Sequence, residues 1–109
     1  MSDCLFCKIA NHTIPVKAVH EDDHSIVFPD VNPQAPTHLL LIPKQHFADV
    51  ADAPIDVLGH LLHEAAALAK RELPYGYRIV INTGDDGGQT VHHLHLHILG
   101  GRHMNWPPG

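Results

Sequence analysis

The chain has 109 residues, and its 7 basic and 12 acidic side chains give a formal net charge of −5. This length allows one domain and leaves little room for a second, so we expect residues 1–109 to form a single domain. The acidic balance argues against binding nucleic acid through its backbone, which requires a basic face. The unusual feature is the presence of 12 histidines, whose arrangement carries most of the functional information.

The N-terminus has no basic region followed by an apolar run, and the longest apolar run, residues 39–43, is far shorter than the ~20 residues of a membrane helix. We therefore expect a cytoplasmic protein that does not bind a membrane. In a reducing compartment the Cys-x-x-Cys pair of Cys4 and Cys7 indicates metal binding or redox chemistry rather than a structural disulfide. Two small buried thiols are the simpler alternative.

The first half of the chain predicts short elements. Residues 4–10 predict a short helix or turn, and residues 18–21 and 25–28 predict two strands around a polar turn. A loop with two prolines follows at 30–36, and an apolar strand is predicted at 38–42.

The second half begins with one convincing helix, 54–73, whose apolar residues recur at helical spacing until Pro74 ends it. Strands are predicted at 77–82 and 89–99, with a glycine-containing loop at 83–88 between them. These elements predict an α+β fold, a mainly antiparallel sheet of about five strands with a single long helix on one face.

The last predicted strand carries a row of three histidines. Side chains alternate faces along a strand, so His93, His95 and His97 share one face, and the apolar residues between them face the core. The row spans about 13 Å, so one metal ion does not take all three, although two of them with outside ligands could bind one. The alternatives are an exposed strand with polar alternate positions and a purely metal-binding row.

A glycine-rich segment lies just before this row. Gly87 and Gly88 let the backbone approach an anion closely, and Gln89 and Thr90 add side-chain donors, which together indicate a phosphate-binding floor. An ordinary turn is the alternative.

Residues 88–101, Gly-Gln-Thr-Val-His-His-Leu-His-Leu-His-Ile-Leu-Gly-Gly, match the histidine-triad pattern His-φ-His-φ-His-φ-φ, with φ apolar, at every position. The similarity covers nearly the whole chain and includes residues 30–38, 42–46, Asn82 and the ending 101–109. The chain resembles the Hint branch of the histidine-triad family, which comprises nucleoside phosphoramidate hydrolases and purine-nucleotide-binding proteins. The resemblance implies a homodimer in which the helices pair and the sheet continues across the interface.

The resemblance also implies the chemistry. His95 would attack the α-phosphorus of a nucleoside 5′-phosphoramidate and form a nucleotidyl-histidine, which water then hydrolyses to release AMP or GMP. His97 would donate to a non-bridging phosphate oxygen, His38 would support the site by hydrogen bonding, and Thr90 would relay a proton to the leaving amine. These steps imply no cofactor.

The implied substrate is a purine nucleotide, with adenosine favoured over guanosine. Asp30 would bind the ribose hydroxyls and Val31 would pack against the base, whereas Trp106 would shape the pocket of the neighbouring subunit. The implied contacts near the phosphate are Asn82, Gly88, Gln89, Thr90, His95 and His97. For Asp30 a turn-forming carboxylate is the structural alternative, and for His38 it is a strand-edge histidine.

Some members of the family carry an N-terminal Cys-x-x-Cys that binds zinc together with two histidines. The matching residues here are Cys4, Cys7, His46 and His93. Zinc bound by four protein ligands would be structural, because no coordination position is left for substrate.

The other histidines are assigned structural positions. His92 falls on the core-facing side of the predicted strand and is expected to pack or to be hydrogen-bonded. Six more are expected at the surface: His12, His20, His24, His60, His63 and His103.

Three alternative functions stay open. A dinucleoside-polyphosphate hydrolase uses related chemistry, although the ending Trp-Pro-Pro-Gly argues against it. A nucleotide-binding regulatory adaptor would make catalysis incidental. A zinc-handling protein would use the histidine row for metal, and two or more zinc ions per chain would favour it.

Overall fold

The computed structural model describes residues 3–109. The elements in chain order are α1 (Leu5–Ala10), β1 (His20–Glu21), β2 (Ser25–Pro29), β3 (Thr37–Pro43), α2 (Ile55–Glu72), β4 (Tyr77–Val80) and β5 (Leu96–Gly100). The strands form one sheet in the order β1-β2-β3-β5-β4, and every neighbouring pair is antiparallel. The predicted α+β fold, with five antiparallel strands and one long helix, is confirmed. Within 3–109, neither helix combines the length and the apolar character needed to cross a membrane.

Both faces of the sheet are buried, which explains the unbroken apolar run in β3. Leu39 and Leu41 pack under α2, whereas Leu40 and Ile42 pack on the opposite face with α1. Successive side chains of a strand point to opposite faces, so a strand covered on both sides has no polar alternate position over this stretch. The two helices therefore cover different faces of the same sheet.

Helix α2 follows from the spacing of its apolar residues. The buried residues of the helix are Leu61, Ala65, Leu68 and Ala69. The last three lie four, seven and eight residues after Leu61, so all four are on one side of the helix. Pro54 precedes the first turn as the N-cap, a place where its missing N–H costs little. The helix thus covers the face of the sheet that lies away from α1.

The last strand is shorter than predicted. It begins at Leu96, which pairs with Leu41, rather than at Gln89. Before that point the chain leaves the ladder, and the backbone N–H of Leu94 donates to the carbonyl of Phe47 in a loop at 2.7 Å. His92, predicted to face the core, is exposed because it lies in this irregular segment and not in a strand. The six histidines expected at the surface are all exposed.

Candidate active site and metal centre

The backbone fixes which ring nitrogen of His95 carries the proton. His95 is buried, and its Nδ1 lies 2.7 Å from the carbonyl oxygen of His93. A carbonyl only accepts, so Nδ1–H is the donor, and Nε2 of the neutral ring carries the lone pair. Residue 95 therefore has the tautomer that a nucleophile needs at Nε2.

A second chain of hydrogen bonds sets the tautomers of His38 and His97. The backbone N–H of Gln34 donates to Nδ1 of His38 at 3.0 Å, so the proton of His38 is on Nε2. That Nε2–H donates to Nδ1 of His97 at 2.8 Å, with a carboxylate oxygen of Asp30 at 3.4 Å. His97 consequently carries its own proton on Nε2, where it can serve as a donor.

Burial keeps these imidazoles neutral. Burial lowers the pKa of His97 to about 4, helped by His95 and His38 and opposed by the carboxylate of Asp30. Burial also lowers the pKa of His38, again against the effect of Asp30. Near neutral pH the pair is thus a hydrogen-bonded relay without net charge.

A cavity of about 710 Å³ opens beside His95 and His97. One wall is apolar and includes residues that the sequence did not single out: Leu5, Phe6, Ile9, Phe28 and Leu40. The sequence predicted a short helix or turn at 4–10 without assigning its apolar residues to a site, because a helix this short shows no clear apolar periodicity. The volume and the mixed lining suit a small organic ligand with one charged end.

Most of the predicted catalytic and nucleotide-binding residues line this cavity: Asp30, Val31, His38, Asn82, Gly88, Thr90, His95 and His97. Val31 is 100% exposed and Thr90 is exposed, so both are accessible to a ligand. One oxygen of Asp30 accepts the N–H of Asn32 at 2.9 Å, which is the turn-forming role, while its other oxygen faces His38.

Gln89 does not line the cavity. Its side chain is buried, accepts the N–H of Gly84 at 3.0 Å, and donates to the carbonyls of Ala48 and Val91 at 2.8 and 3.1 Å. Those bonds occupy both hydrogens of the amide, so Gln89 organises the loop rather than facing a ligand.

The backbone of the glycine-rich loop is also committed internally. The N–H groups of Gly88 and Gln89 donate to the carbonyls of Asp85 and Gly84, both at 3.0 Å. The structure therefore does not point these two N–H groups at a phosphate. Gly87 is required by packing, since a Cβ there would lie 2.2 Å from the carbonyl oxygen of Thr83.

Trp106 lies away from the cavity of its own chain and is 82% exposed.

The four predicted metal ligands come together as a compact group, here termed the Cys/His cluster: Cys4, Cys7, His46 and His93. Nδ1 of His93 lies 3.3 Å from the sulfur of Cys4 and 3.5 Å from the sulfur of Cys7. Nδ1 of His46 lies 3.1 Å from Nδ1 of His93 and 3.3 Å from the sulfur of Cys7. Ligands at zinc bond lengths of 2.0–2.3 Å lie about 3.3–3.8 Å apart at tetrahedral corners. The donor set and its spacing fit zinc.

The surroundings of the cluster also suit a cation. The Nε2–H of His93 donates to the carbonyl of Pro43 at 2.9 Å, which leaves Nδ1 with a lone pair aimed at the cluster. Burial lowers the pKa of this ring, against the effect of Pro43. Burial raises the pKa of the Cys7 thiol and Cys4 raises it further, so a metal ion would have to displace protons to create thiolates.

Comparison with known proteins identifies the family. Residues 11–104 match the HIT domain. The chain belongs to the HIT domain family. This HIT domain is 49% identical to a 14 kDa zinc-binding protein from Zea mays; the alignment covers 99% of this chain and 89% of the relative. It is 47% identical, over 99% of its length and 78% of the relative, to the adenylylsulfatase HINT1 of Arabidopsis thaliana, which supports the Hint-like branch.

Solved structures agree with the fold. A HIT family hydrolase from Legionella pneumophila superimposes with a TM-score of 0.93 at 51% identity, covering 98% of this chain and all of that one. A zinc-bound histidine triad family protein from Mycobacterium smegmatis gives 0.85 at 31% identity, covering 96% of this chain and 79% of the other. These similarities support a hydrolase of the HIT family.

Proposed function

We propose that this HIT domain hydrolyses the phosphorus–nitrogen bond of purine nucleoside 5′-phosphoramidates through a covalent nucleotidyl-His95 intermediate. One observation carries the proposal, namely the donation of the His95 Nδ1–H to the His93 carbonyl. That bond leaves the lone pair on Nε2 of a neutral ring, and a neutral imidazole is nucleophilic near pH 7.

In the first step Nε2 of His95 attacks the α-phosphorus, and the phosphorus–nitrogen bond breaks. The bonding electron pair leaves with the amine, which takes the hydroxyl proton of Thr90 while solvent water reprotonates that hydroxyl; the water that attacks in the second step returns a proton to solvent. His97 donates its Nε2–H to a non-bridging oxygen as negative charge develops there, and His38 holds His97 in that tautomer. Water then attacks the phosphorus of the adduct, releases AMP or GMP, and restores His95.

The nucleotide would be held by groups that line the cavity. Asp30 would bind the ribose hydroxyls, Val31 would cover the base, and Asn82 and Gly88 would lie beside the phosphate. Gln89 acts by holding the loop that carries Thr90, because its amide is committed to that loop. We propose adenosine as the preferred nucleoside over guanosine.

We further propose that the Cys/His cluster holds a structural zinc ion. Zinc there would crosslink α1 to the segment that carries the histidine row, and its four protein ligands leave no position for substrate. The catalytic steps above need no metal.

We propose a homodimer in which Trp106 shapes the substrate pocket of the partner subunit. The exposure of Trp106, which does not line the cavity of its own chain, supports this arrangement. Sedimentation measures the assembly, and Trp106→Ala should weaken substrate binding while the stability of the chain stays unchanged. A monomer at micromolar concentration would refute the proposal.

The decisive experiment measures steady-state hydrolysis of a fluorogenic adenosine phosphoramidate by the native protein and by His95→Ala, both loaded with one zinc ion per chain. His92→Ala is the matched control, since it removes an exposed histidine three positions away and should keep native turnover. Loss of turnover in His95→Ala alone, with an AMP-sized adduct trapped on the native protein, supports the proposal. Little native turnover despite AMP binding would favour the adaptor function.

A second candidate substrate is adenylyl sulfate, because a relative 47% identical to this chain is named an adenylylsulfatase. The same attack by His95 would expel sulfate instead of an amine. Sulfate needs no proton to leave, so Thr90→Val should reduce hydrolysis of the phosphoramidate more than that of adenylyl sulfate. Comparing kcat/KM for both substrates, with a dinucleoside polyphosphate as the third, ranks the alternatives.

A further inference from the structure

His93 belongs to two sites at once. Its ring contributes Nδ1 to the Cys/His cluster, and its backbone carbonyl accepts the Nδ1–H of His95. The residue is fully buried, and its Nε2–H is fixed by the carbonyl of Pro43. Any force that orients the His93 ring therefore acts on the same residue whose carbonyl sets the tautomer of His95.

Phe6 provides a second connection. It lies between the two cysteines in α1, is buried, and meets the ring of His95 edge-on at a centroid distance of 5.1 Å. The same ring meets His93 edge-on at 5.9 Å. The turn of helix that supplies both sulfurs thus also packs against the imidazole of His95.

A metal ion would tighten the link between α1 and the histidine row. Helix α1 has only six residues, too few to be stable by itself in water, so it depends on the packing of its buried residues and on its contacts with His46 and His93. Without a metal ion those contacts join thiols to imidazoles, and a thiol is a weak hydrogen-bond donor. A metal ion would replace those contacts with four coordination bonds.

We propose that metal binding in the Cys/His cluster positions His95 for attack, with His93 and Phe6 acting as positioning residues. The metal holds the ring of His93, and this keeps the His93 carbonyl in place to accept the Nδ1–H of His95. Phe6 packs edge-on against the His95 ring and restricts its movement. The kinetic part of this inference rests on the proposed function; the structural part does not.

The test uses the full chain labelled with ¹⁵N in histidine, either loaded with one zinc ion per chain or treated with chelator. Two-bond ¹H–¹⁵N spectra report the tautomer of His95 directly. With zinc we expect the single Nδ1–H form. Without zinc we expect a mixture of tautomers, a fall in kcat of about 10- to 100-fold with a smaller change in KM, and recovery of both on adding zinc back.

Two variants separate positioning from general stability. Phe6→Leu should retain zinc but alter the His95 resonances and lower kcat. Leu68→Val trims a buried side chain of α2 in the opposite core and should leave the His95 tautomer unchanged. Equal effects of the two variants on His95 would overturn the role of Phe6.

A metal-free chain with native circular dichroism and an unchanged His95 spectrum would overturn the proposal. If the metal-free chain loses its tertiary structure, His46→Asn is titrated with zinc instead. The three remaining donors of this variant give partial occupancy by zinc. We expect the fraction of His95 in the Nδ1–H form to rise in proportion to the amount of bound zinc. A fraction that does not depend on zinc would refute the coupling. A zinc-dependent His95 tautomer without phosphoramidate turnover would reject the proposed function and support this inference. Phosphoramidate turnover with a His95 tautomer that does not depend on zinc would support the proposed function and reject this inference.

Discussion

The neutral state of His97 makes the stability of the protein depend on pH. His97 has a pKa of about 4 in the native state, against 6.5 when exposed, because burial disfavours its charged form. The unfolded chain therefore binds a proton at His97 in a pH range where the folded chain does not. It follows that stability contributed by neutral His97 is present above pH 6.5 and is lost as the pH falls toward 4.

The magnitude follows from the two pKa values. One pH unit between them corresponds to ~1.4 kcal/mol, so His97 costs the native state ~2.5 kcal/mol by pH 4.5 and ~3.4 kcal/mol once it is fully protonated. The variant His97→Gln has no such group and keeps a hydrogen-bonding side chain at the position.

Urea unfolding of both proteins between pH 7.5 and pH 4.5, with zinc at equal concentration, measures the difference. The unfolding free energy of the native protein should fall by about 2–3 kcal/mol more than that of His97→Gln, whereas the exposed histidines, which do not contact His97, contribute equally to both. Parallel pH profiles of the two proteins would refute the reasoning, since they would mean that His97 titrates alike in the folded and unfolded chains.

Three further outcomes are expected. Gln89→Leu leaves the carbonyl of Ala48 without its amide donor, so unfolding should become easier by about 1–3 kcal/mol; urea midpoints check this, and an unchanged midpoint would exclude the structural role. Gly87→Ala drives a Cβ against the carbonyl of Thr83 and should displace the loop, lowering both the melting temperature and AMP affinity, whereas retention of both would contradict the packing argument. Val31→Ser changes a fully exposed side chain, so stability should stay within about 0.5 kcal/mol while AMP affinity falls; calorimetry of binding distinguishes this from no effect.

The sequence by itself determined the features that depend on local pattern. Alternation along a strand predicted that His95 and His97 share one face, and both line the cavity. Helical spacing predicted α2 to within a residue at each end. The division of the histidine row between two centres was implied by the family resemblance, and the length of the predicted strand agreed with it. These are properties of the chain over a few residues.

Only the tertiary structure decided which atoms meet. The tautomers of His38 and His95 are set by the N–H of Gln34 and the carbonyl of His93, and backbone groups carry no residue-type signal in a sequence. The same holds for Gln89, whose amide bonds to the N–H of Gly84 and to the carbonyls of Ala48 and Val91, groups that the folded loop brings together. The start of β5 depends on the path of the folded chain: its pairing with β3 ends at Leu41 and Leu96, and the N–H of Leu94 instead donates to the carbonyl of Phe47. Which backbone group a side chain meets is decided by the conformation of the folded chain even when the partners are only two to five residues apart, and so these bonds emerge only when the sheet and its loops have formed.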